Sequence, residues 1–520
     1  MDAVGIDIGT GSIRMYHGSK VRYAAITTTH GNKFITQSSF EIYDKLLELL
    51  SVANFQFDSI CVCATCSQVV LEKVVIEDAT YLTPYHLNDG VESDVLLWMD
   101  NSSVAQCEEL NGGVVEDDVL QQIGGKFIPE LGLPKLKLLN DAVSSELVVF
   151  ELYDFISYLM KYSYKVVDGK KLTPYIKPKR FKKGYALDGS VKGWSAAFLE
   201  KLGIGIEIGR SEVEGDRLLP IGYPVGKMHN RDIVIAHGCI DCYGGWFNNL
   251  QLSASNAVSM VAGTSTCFIY NSSTNNYITN TWGPYELSKP GMYVYEFGQP
   301  ATGKLYEVVL GKEFDFDKAE QEIGEWEKKH GQSIHELIKG YFYYGDVFGN
   351  RSPLQDPEMS EMIIDSNNQI LPRILHNNDC RVSQLIKYVL IMEFLVFQTK
   401  SLLELLTVDK LVIVGSQAKN GRFLRLLNLM TGIDVEIGDS EAGTDEVARG
   451  AFLLARLGKL VSLSHDYTTA CNQVIQENRA RKVEFAGSKH AKEHTLLTKK
   501  YEIFKDMISV QRKYRNLMNG

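Results

Sequence analysis

Two short apolar runs, each closed by a glycine and hydroxyl turn, constrain this chain more than any other feature. The first is Ala3-Val4-Gly5-Ile6-Asp7-Ile8, followed by Gly9-Thr10-Gly11-Ser12. The second is VSMVA, residues 258–262, followed by Gly263-Thr264-Ser265-Thr266 and the strand-like CFIYN. Each reads as a buried strand ended by a tight turn. Glycine lets backbone N–H groups approach an anion closely, and Thr and Ser add hydroxyl donors. Neither turn is a Rossmann or Walker A loop, because those run directly into a helix, whereas VRYAAITT at 21–28 reads as a second strand. The same unit in both halves implies a duplicated fold.

The remaining pattern is α/β. FEIYDKLLELL (40–50) has helical spacing and precedes the strand SICVCAT; a long apolar helix near 383–406 precedes the strand KLVIVG (410–415) and a helix from about 421. With 520 residues the chain exceeds one core, so two domains are expected, 1–245 and 246–520, joined where AHGCIDCYGG gives way to VSMVAG. The stretch 165–184 is rich in Lys, Pro and Gly and reads as a solvated loop, and 271–282 as a turn region. In the last 25 residues Leu497, Tyr501, Phe504 and Ile508 share a helical face, which favours a packed terminal helix over a basic membrane-surface one.

A formal net charge of −10 argues against nucleic-acid binding driven by charge alone, but not against a small anion held by backbone N–H groups. No apolar run is long enough to span a bilayer, and the N-terminus enters a strand without a secretory prelude, so a cytoplasmic location is expected. The nine cysteines include two clusters, Cys61/Cys63/Cys66 and Cys239/Cys242. A zinc site would need four converging ligands, whereas Cys61 and Cys63 alternate as buried strand residues do.

Asp7 ends its strand and can hold Mg²⁺ through water, since that ion prefers few carboxylates and many waters. Thr10 and Ser12, with Gly9, Gly11 and Arg14, complete the first anion-binding turn; Gly263, Thr264 and Ser265 form the second. Asp241 in GCIDCYGGW is a turn cap before Gly244-Gly245 on one reading and a catalytic carboxylate on another.

These segments are similar to the FGGY carbohydrate kinases, and within them to the ribulokinase-like branch. DIGTGSIR resembles that family's first phosphate loop. ITQSS, LLWMD, FGQPATG (297–303), GNRSPLQDP (349–357), GSQAKN and KKYEIF…QRKYR follow in the family's order, from residue 4 to about 517. The resemblance implies two ribonuclease H-like domains of the actin/hexokinase/Hsp70 ATPase type, with ATP and a small ketose meeting at an interdomain catalytic cleft. It implies ATP and Mg²⁺ as cofactors and transfer to a pentulose such as D-ribulose, giving the 5-phosphate. A xylulose- or polyol-type kinase, or a weakened sugar or nucleotide sensor, is the alternative. No nucleic-acid or membrane partner is implied, and a homodimer is compatible with it.

By the same resemblance Asp241 is the general base, and Cys66, Ser67, Gln68, Asp100, Lys192 and Glu296 contact the sugar. Lys192 belongs with Trp194 to a lysine–tryptophan element; the alternative for it is an exposed surface lysine. Gly415, Ser416, Gln417 and Asn420 match the adenosine loop, where small residues suit close backbone approach. Four departures stand out. Asn101, Ser102 and Ser103 replace the basic pair that usually follows WMD, Ser416 replaces a glycine, Phe297 stands where glycine is common, and Gly193 separates Lys192 from Trp194.

Overall fold

The run Ala3–Ile8 is buried at every position, as an apolar strand interrupted only by Gly5 and Asp7 demands. It pairs antiparallel with Ser12–His17 on one side and parallel with Ser59–Ala64 on the other. The computed structural model describes every residue except 1, 19, 53–54, 114–117, 180–191, 213–217, 251–255, 368, 370–383, 439–444, 477–479, 485–490 and 520. The chain forms two compact units. The first holds Met1–Ser255, Asn271–Tyr295 and Asp439–Arg479; the second holds Asn256–Tyr270, Glu296–Gly438 and Ala480–Gly520. This division differs from the contiguous halves expected of the sequence.

In the first unit a six-stranded sheet runs in the order Pro224–Lys227, Val234–Ile240, Ser59–Ala64, Ala3–Ile8, Ser12–His17, Lys20–Ala25. The three central strands are parallel and the outer ones antiparallel. In the second unit five strands run in the order Thr266–Ser272, Ala257–Ala262, Lys410–Gly415, Asp434–Gly438, Ala480–Lys482. Their pairings are antiparallel, parallel, parallel and antiparallel. Both units thus place a glycine turn inside an antiparallel hairpin whose first strand heads a parallel set. That is the duplicated logic of the sequence, seen in register.

Two local expectations change. SIRMYH (12–17) is a strand of its own, pairing on its far side with Lys20–Ala25, so the first strand's partner is not the run at 21–28. Within 165–184, Lys165–Val167 and Lys170–Pro174 form a hairpin. Its turn, Asp168-Gly169, has φ of 49° and 78°, the paired positive values that a two-residue turn between twisted strands requires. The lysines point attention to solvent and hide the Asp-Gly signal; residues 180–184 of that stretch lie outside the described residues.

Helix Glu446–Ser462 explains why a late segment belongs to the first unit. A Cβ at Gly5 would lie 2.0 Å from Ala448 O, and one at Gly450 would lie 1.9 Å from Gly244 O. Bare backbone at these positions lets the helix lie directly on strand Ala3–Ile8 and on helix Asp241–Asn248. The terminal helix Ala491–Asn519 packs through Leu497, Tyr501, Phe504 and Met507, with Ile508 only half-buried. Its Lys500 is buried and bonded to Glu393, which also accepts from His335 Nδ1 at 2.6 Å. Helix Gln384–Leu403, which supplies Glu393, is buried on most of its surface. Among the described residues no helix is long and apolar enough to cross a membrane.

Candidate active site

Parallel strands carry their functional groups at their carboxyl ends, where helices begin and backbone N–H groups point outward. In the first unit Ile8, Ala64 and Ile240 share one rung of the sheet. Asp7 lies just before that rung and Asp241 just after it. Asp241 is the first residue of helix Asp241–Asn248, and its Oδ1 accepts from Cys242 N at 2.7 Å. Arg14, across the hairpin from Asp7 in register, donates from Nη1 to Asp7 Oδ2 at 2.6 Å and to Asp445 Oδ2 at 3.2 Å. Asp445 is also the N-cap of helix Glu446–Ser462, its Oδ1 accepting from Ala448 N at 2.9 Å.

Two carboxylates therefore bond one guanidinium, and the charge of Asp241 also acts on it. Burial raises the Asp7 pKa well above the usual carboxylate range, and Asp445 and Asp241 push it further while Arg14 opposes them. Asp7 Oδ1 is buried and has no hydrogen-bond partner. An excess of negative charge with one orphaned oxygen is what a divalent cation would complete, so the residues fit Mg²⁺ held through Asp7. Around them Gly9 N donates to Ser12 O at 3.0 Å, closing the turn, while Gly11 is exposed with open space around it. Arg14, expected to meet phosphate, is held here as the clamp between two aspartates.

The segment Cys66-Ser67-Gln68 leads into strand Gln68–Ile76, which pairs with Val95–Leu96. Trp98 couples it to the first glycine turn: Trp98 N donates to Ser67 Oγ at 3.2 Å and Trp98 Nε1 to Thr10 Oγ1 at 3.3 Å. Gln68 Nε2 donates to Gly132 O at 2.7 Å, and its Oε1 is buried without a partner. Lys135, one turn into helix Gly132–Ala142, sends its ammonium to Leu97 O at 2.7 Å and Trp98 O at 2.8 Å. Cys66, partly exposed, and Asp100 lie near that ammonium.

Two expected sugar contacts are engaged elsewhere. Asp100 Oδ2 accepts from Ile35 N at 2.7 Å, while Oδ1 accepts from Ser102 N at 2.9 Å and from Ser102 Oγ. Ser102, one of the residues standing where the family has its basic pair, caps this carboxylate. Lys192 is fully buried and is neither a surface lysine nor open to a sugar. Its Nζ lies 2.9 Å from Glu212 Oε2, 3.2 Å from Asp154 Oδ2 and 2.7 Å from His237 Nε2. Burial works against its charge, but the two carboxylates outweigh burial and raise its pKa. Burial and this same lysine lower the pKa of His237, which can then accept a hydrogen bond. Trp194 stacks on Phe198, with centroids 4.9 Å apart.

Cys61, Cys63 and Cys239 lie in strands, whereas Cys66 sits in the bend after Ser59–Ala64 and Cys242 in helix Asp241–Asn248. Cys63 and Cys239 are register partners with sulfurs 3.6 Å apart, and Cys61 donates to His237 O at 3.7 Å. All four of Cys61, Cys63, Cys239 and Cys242 are buried and outside any disulfide.

In the second unit Gly263 N donates to Ser265 O at 2.9 Å. Thr302 N and Lys304 N both donate to Thr264 O, and Gly303 N donates to Gly263 O at 3.0 Å. A Cβ at Gly303 would meet Gly263 O at 2.8 Å. The last glycine of FGQPATG is thus a fitting point for the second glycine turn, whose Gly263 and Thr264 remain exposed. Glu296 sits buried in strand Tyr293–Gln299.

The residues expected to form an adenosine loop lie at the end of strand Lys410–Gly415 and just after it. Gly415 has φ of 88°, and a Cβ there would meet Ala262 O at 2.3 Å, so glycine is required. Ser416 Oγ donates to Ala262 O at 3.3 Å, and Gln417 is buried. Asn420 caps helix Gly421–Thr431, accepting from Phe423 N at 3.1 Å, while its Nδ2 donates to Tyr388 Oη at 2.8 Å. GNRSPLQDP is ordered around Asp346, which accepts from Asn350, Tyr344 and Gln398. Asp356 is tied to Arg515 of the terminal helix.

Strand Ala3–Ile8 with its turn and strand Ala257–Ala262 with its turn, each heading a parallel set, define the class as the two-domain actin/hexokinase-like fold. Solved sugar kinases share it. Gluconate kinase from Lactobacillus acidophilus superposes with a TM-score of 0.70 at 13% identity, covering 98% of each chain. Xylulose kinase from the same species gives 0.69 at 12% identity, again over 98% of each chain. Residues 258–458 match the C-terminal domain of the FGGY family of carbohydrate kinases. Protein MPA43 of Saccharomyces cerevisiae is 29% identical over 99% of this chain and 97% of its own length. D-ribulokinase YDR109C of the same yeast is 26% identical over 89% of this chain and 72% of its own length. Residues 258–458 are thus similar to the C-terminal domain of the FGGY carbohydrate kinases, and these likenesses together support an ATP-dependent carbohydrate kinase.

Asp445, Trp98 and Lys135 escaped the sequence reading. Asp445 had a signal, an Asp directly before a helical run with Glu at the first position, which marks an N-cap.

Proposed function

We propose that this kinase phosphorylates a small ketose, a pentulose such as D-ribulose, at its terminal hydroxyl to give the 5-phosphate. The observation that carries the chemistry is Asp241 at the helix start beside Asp7, Arg14 and Asp445. A helix N-terminus favours negative charge, and the bond from Cys242 N fixes the carboxylate's direction. As general base, Asp241 takes the proton of the sugar hydroxyl as its oxygen bonds to the γ-phosphorus. The turns at Gly9–Ser12 and Gly263–Ser265 offer backbone N–H and hydroxyl groups to the phosphates, and Gly415–Asn420 the nucleotide surface. Bound Mg²⁺ would neutralise phosphate charge, with Asp7 holding it through water. Cys66, Ser67 and Gln68 offer a polar segment for the sugar, and Glu296 is a further proposed sugar contact.

Ribulose as substrate is supported by GNRSPLQDP and by the similarity to a D-ribulokinase. The engaged Asp100, capped by Ser102, favours a second reading in which sugar preference has moved to a xylulose- or polyol-type substrate, or in which the chain senses sugar without turnover. Coupled ADP release over a ketose and polyol panel separates these readings. Asp241→Asn is expected to remove ketose-dependent ADP formation while leaving ATP binding, measured by calorimetry, nearly intact. Full turnover by that variant would end the assignment of the base.

A further inference from the structure

We propose that Lys135 is a substrate-binding residue of the sugar segment, its ammonium donating one N–H to a hydroxyl oxygen of the bound sugar. An ammonium carries three donors. Leu97 O and Trp98 O take two of them, and no described residue accepts the third. The side chain is 1% exposed, and a buried donor without an acceptor costs free energy. A ligand oxygen would complete it.

The surroundings place that donor with the sugar segment. Gln68 bonds to the first residue of the same helix, Gly132, and its own Oε1 is also buried without a partner. A donor and an acceptor, both incomplete and both anchored at the start of helix Gly132–Ala142, suit a hydroxyl, which both donates and accepts. The charged and titratable groups acting on Lys135 are Cys66, Asp100, Glu130 and Glu151. Burial outweighs their attraction and lowers the lysine pKa to about 8. Because two of its bonds go to the backbone beside Asp100, Lys135 also fixes the path of the LLWMD segment.

The proposal rests on the sugar-kinase reading above, and the experiment keeps the two apart. The full chain and Lys135→Met are assayed on D-ribulose, on a polyol panel and on deoxy analogues lacking one hydroxyl each. A hydrogen bond to a charged group is worth about 10- to 100-fold in affinity. The unaltered protein should therefore discriminate by that factor against one deoxy analogue, and Lys135→Met should lose that discrimination with the KM for ATP unchanged. A purely structural lysine would lower stability and leave every discrimination ratio as it was, which overturns the proposal.

Should Lys135→Met not fold, sugar affinity of the unaltered chain is followed from pH 7 to 9.5. It should fall as the ammonium deprotonates, and the fall should persist in Cys66→Ser; a flat profile overturns the proposal. If ribulose is inert but a polyol is phosphorylated, the pentulose reading fails, and the same analogue test on that polyol decides Lys135. A chain that neither turns over nor binds any panel sugar sinks both.

Discussion

Replacing Arg14 by Met removes the cation between Asp7 and Asp445 but keeps an unbranched side chain of similar reach. With charge centres roughly 4 Å apart and an effective dielectric near 20, the Asp7 pair alone is worth about 4 kcal/mol. The Arg14 side chain is 32% exposed, so solvent screening reduces this to roughly 2 kcal/mol, and the longer contact to Asp445 adds about 1. Asp7 has an escape, because burial already raises its pKa and loss of Arg14 raises it further. A carboxylate whose folded pKa lies above its unfolded value carries no penalty below the unfolded pKa. The penalty grows as pH rises toward the folded pKa. Arg14→Met is therefore expected to cost more at pH 8 than at pH 5, by up to about 3 kcal/mol. Hydrogen exchange in strand Ala3–Ile8 reads the local opening free energy without assuming that a two-unit chain unfolds in one step. The cost should largely vanish in an Asp7→Asn background. Equal losses at both pH values, additive with Asp7→Asn, would refute this account of the cluster.

Lys192→Met leaves Asp154 and Glu212 buried without their cation, so a stability loss of roughly 3–5 kcal/mol is expected, read as a lowered thermal midpoint. The folded fraction should keep its sugar KM, and a selective rise in that KM would restore Lys192 to the sugar site. Gly450→Ala forces a Cβ to 1.9 Å from Gly244 O, so helix Glu446–Ser462 must shift; a loss of about 1–3 kcal/mol or more is expected in thermal unfolding.

What could be read from the residues was local. Strand Ala3–Ile8, its turn, helix Ser39–Ser51 and strand Lys410–Gly415 all announce themselves through periodicity and glycine. The carboxylate Asp445 meets Arg14 across 431 positions of sequence, and no window along the chain spans that distance. Lys192 reads as a surface residue because lysine usually is one. Its burial depends on Asp154, Glu212 and His237, which only the folded sheet brings together. Ser102 read as a missing positive charge; the fold shows a hydroxyl that saturates Asp100. The Lys-rich stretch at 165–174 read as loop because charge outweighed the Asp168-Gly169 turn signal.

Helix Glu446–Ser462 also sets a timetable for synthesis. The strand it covers leaves the ribosome well ahead of the helix, which emerges only after some 440 further residues. At about 5–20 residues per second, the core face of strand Ala3–Ile8 waits roughly 20–90 s for its partner. During that interval Gly5 presents bare backbone, and the buried Asp7 has Arg14 but not yet Asp445. The first unit cannot finish folding as it is made; it closes only when the chain returns to where it began.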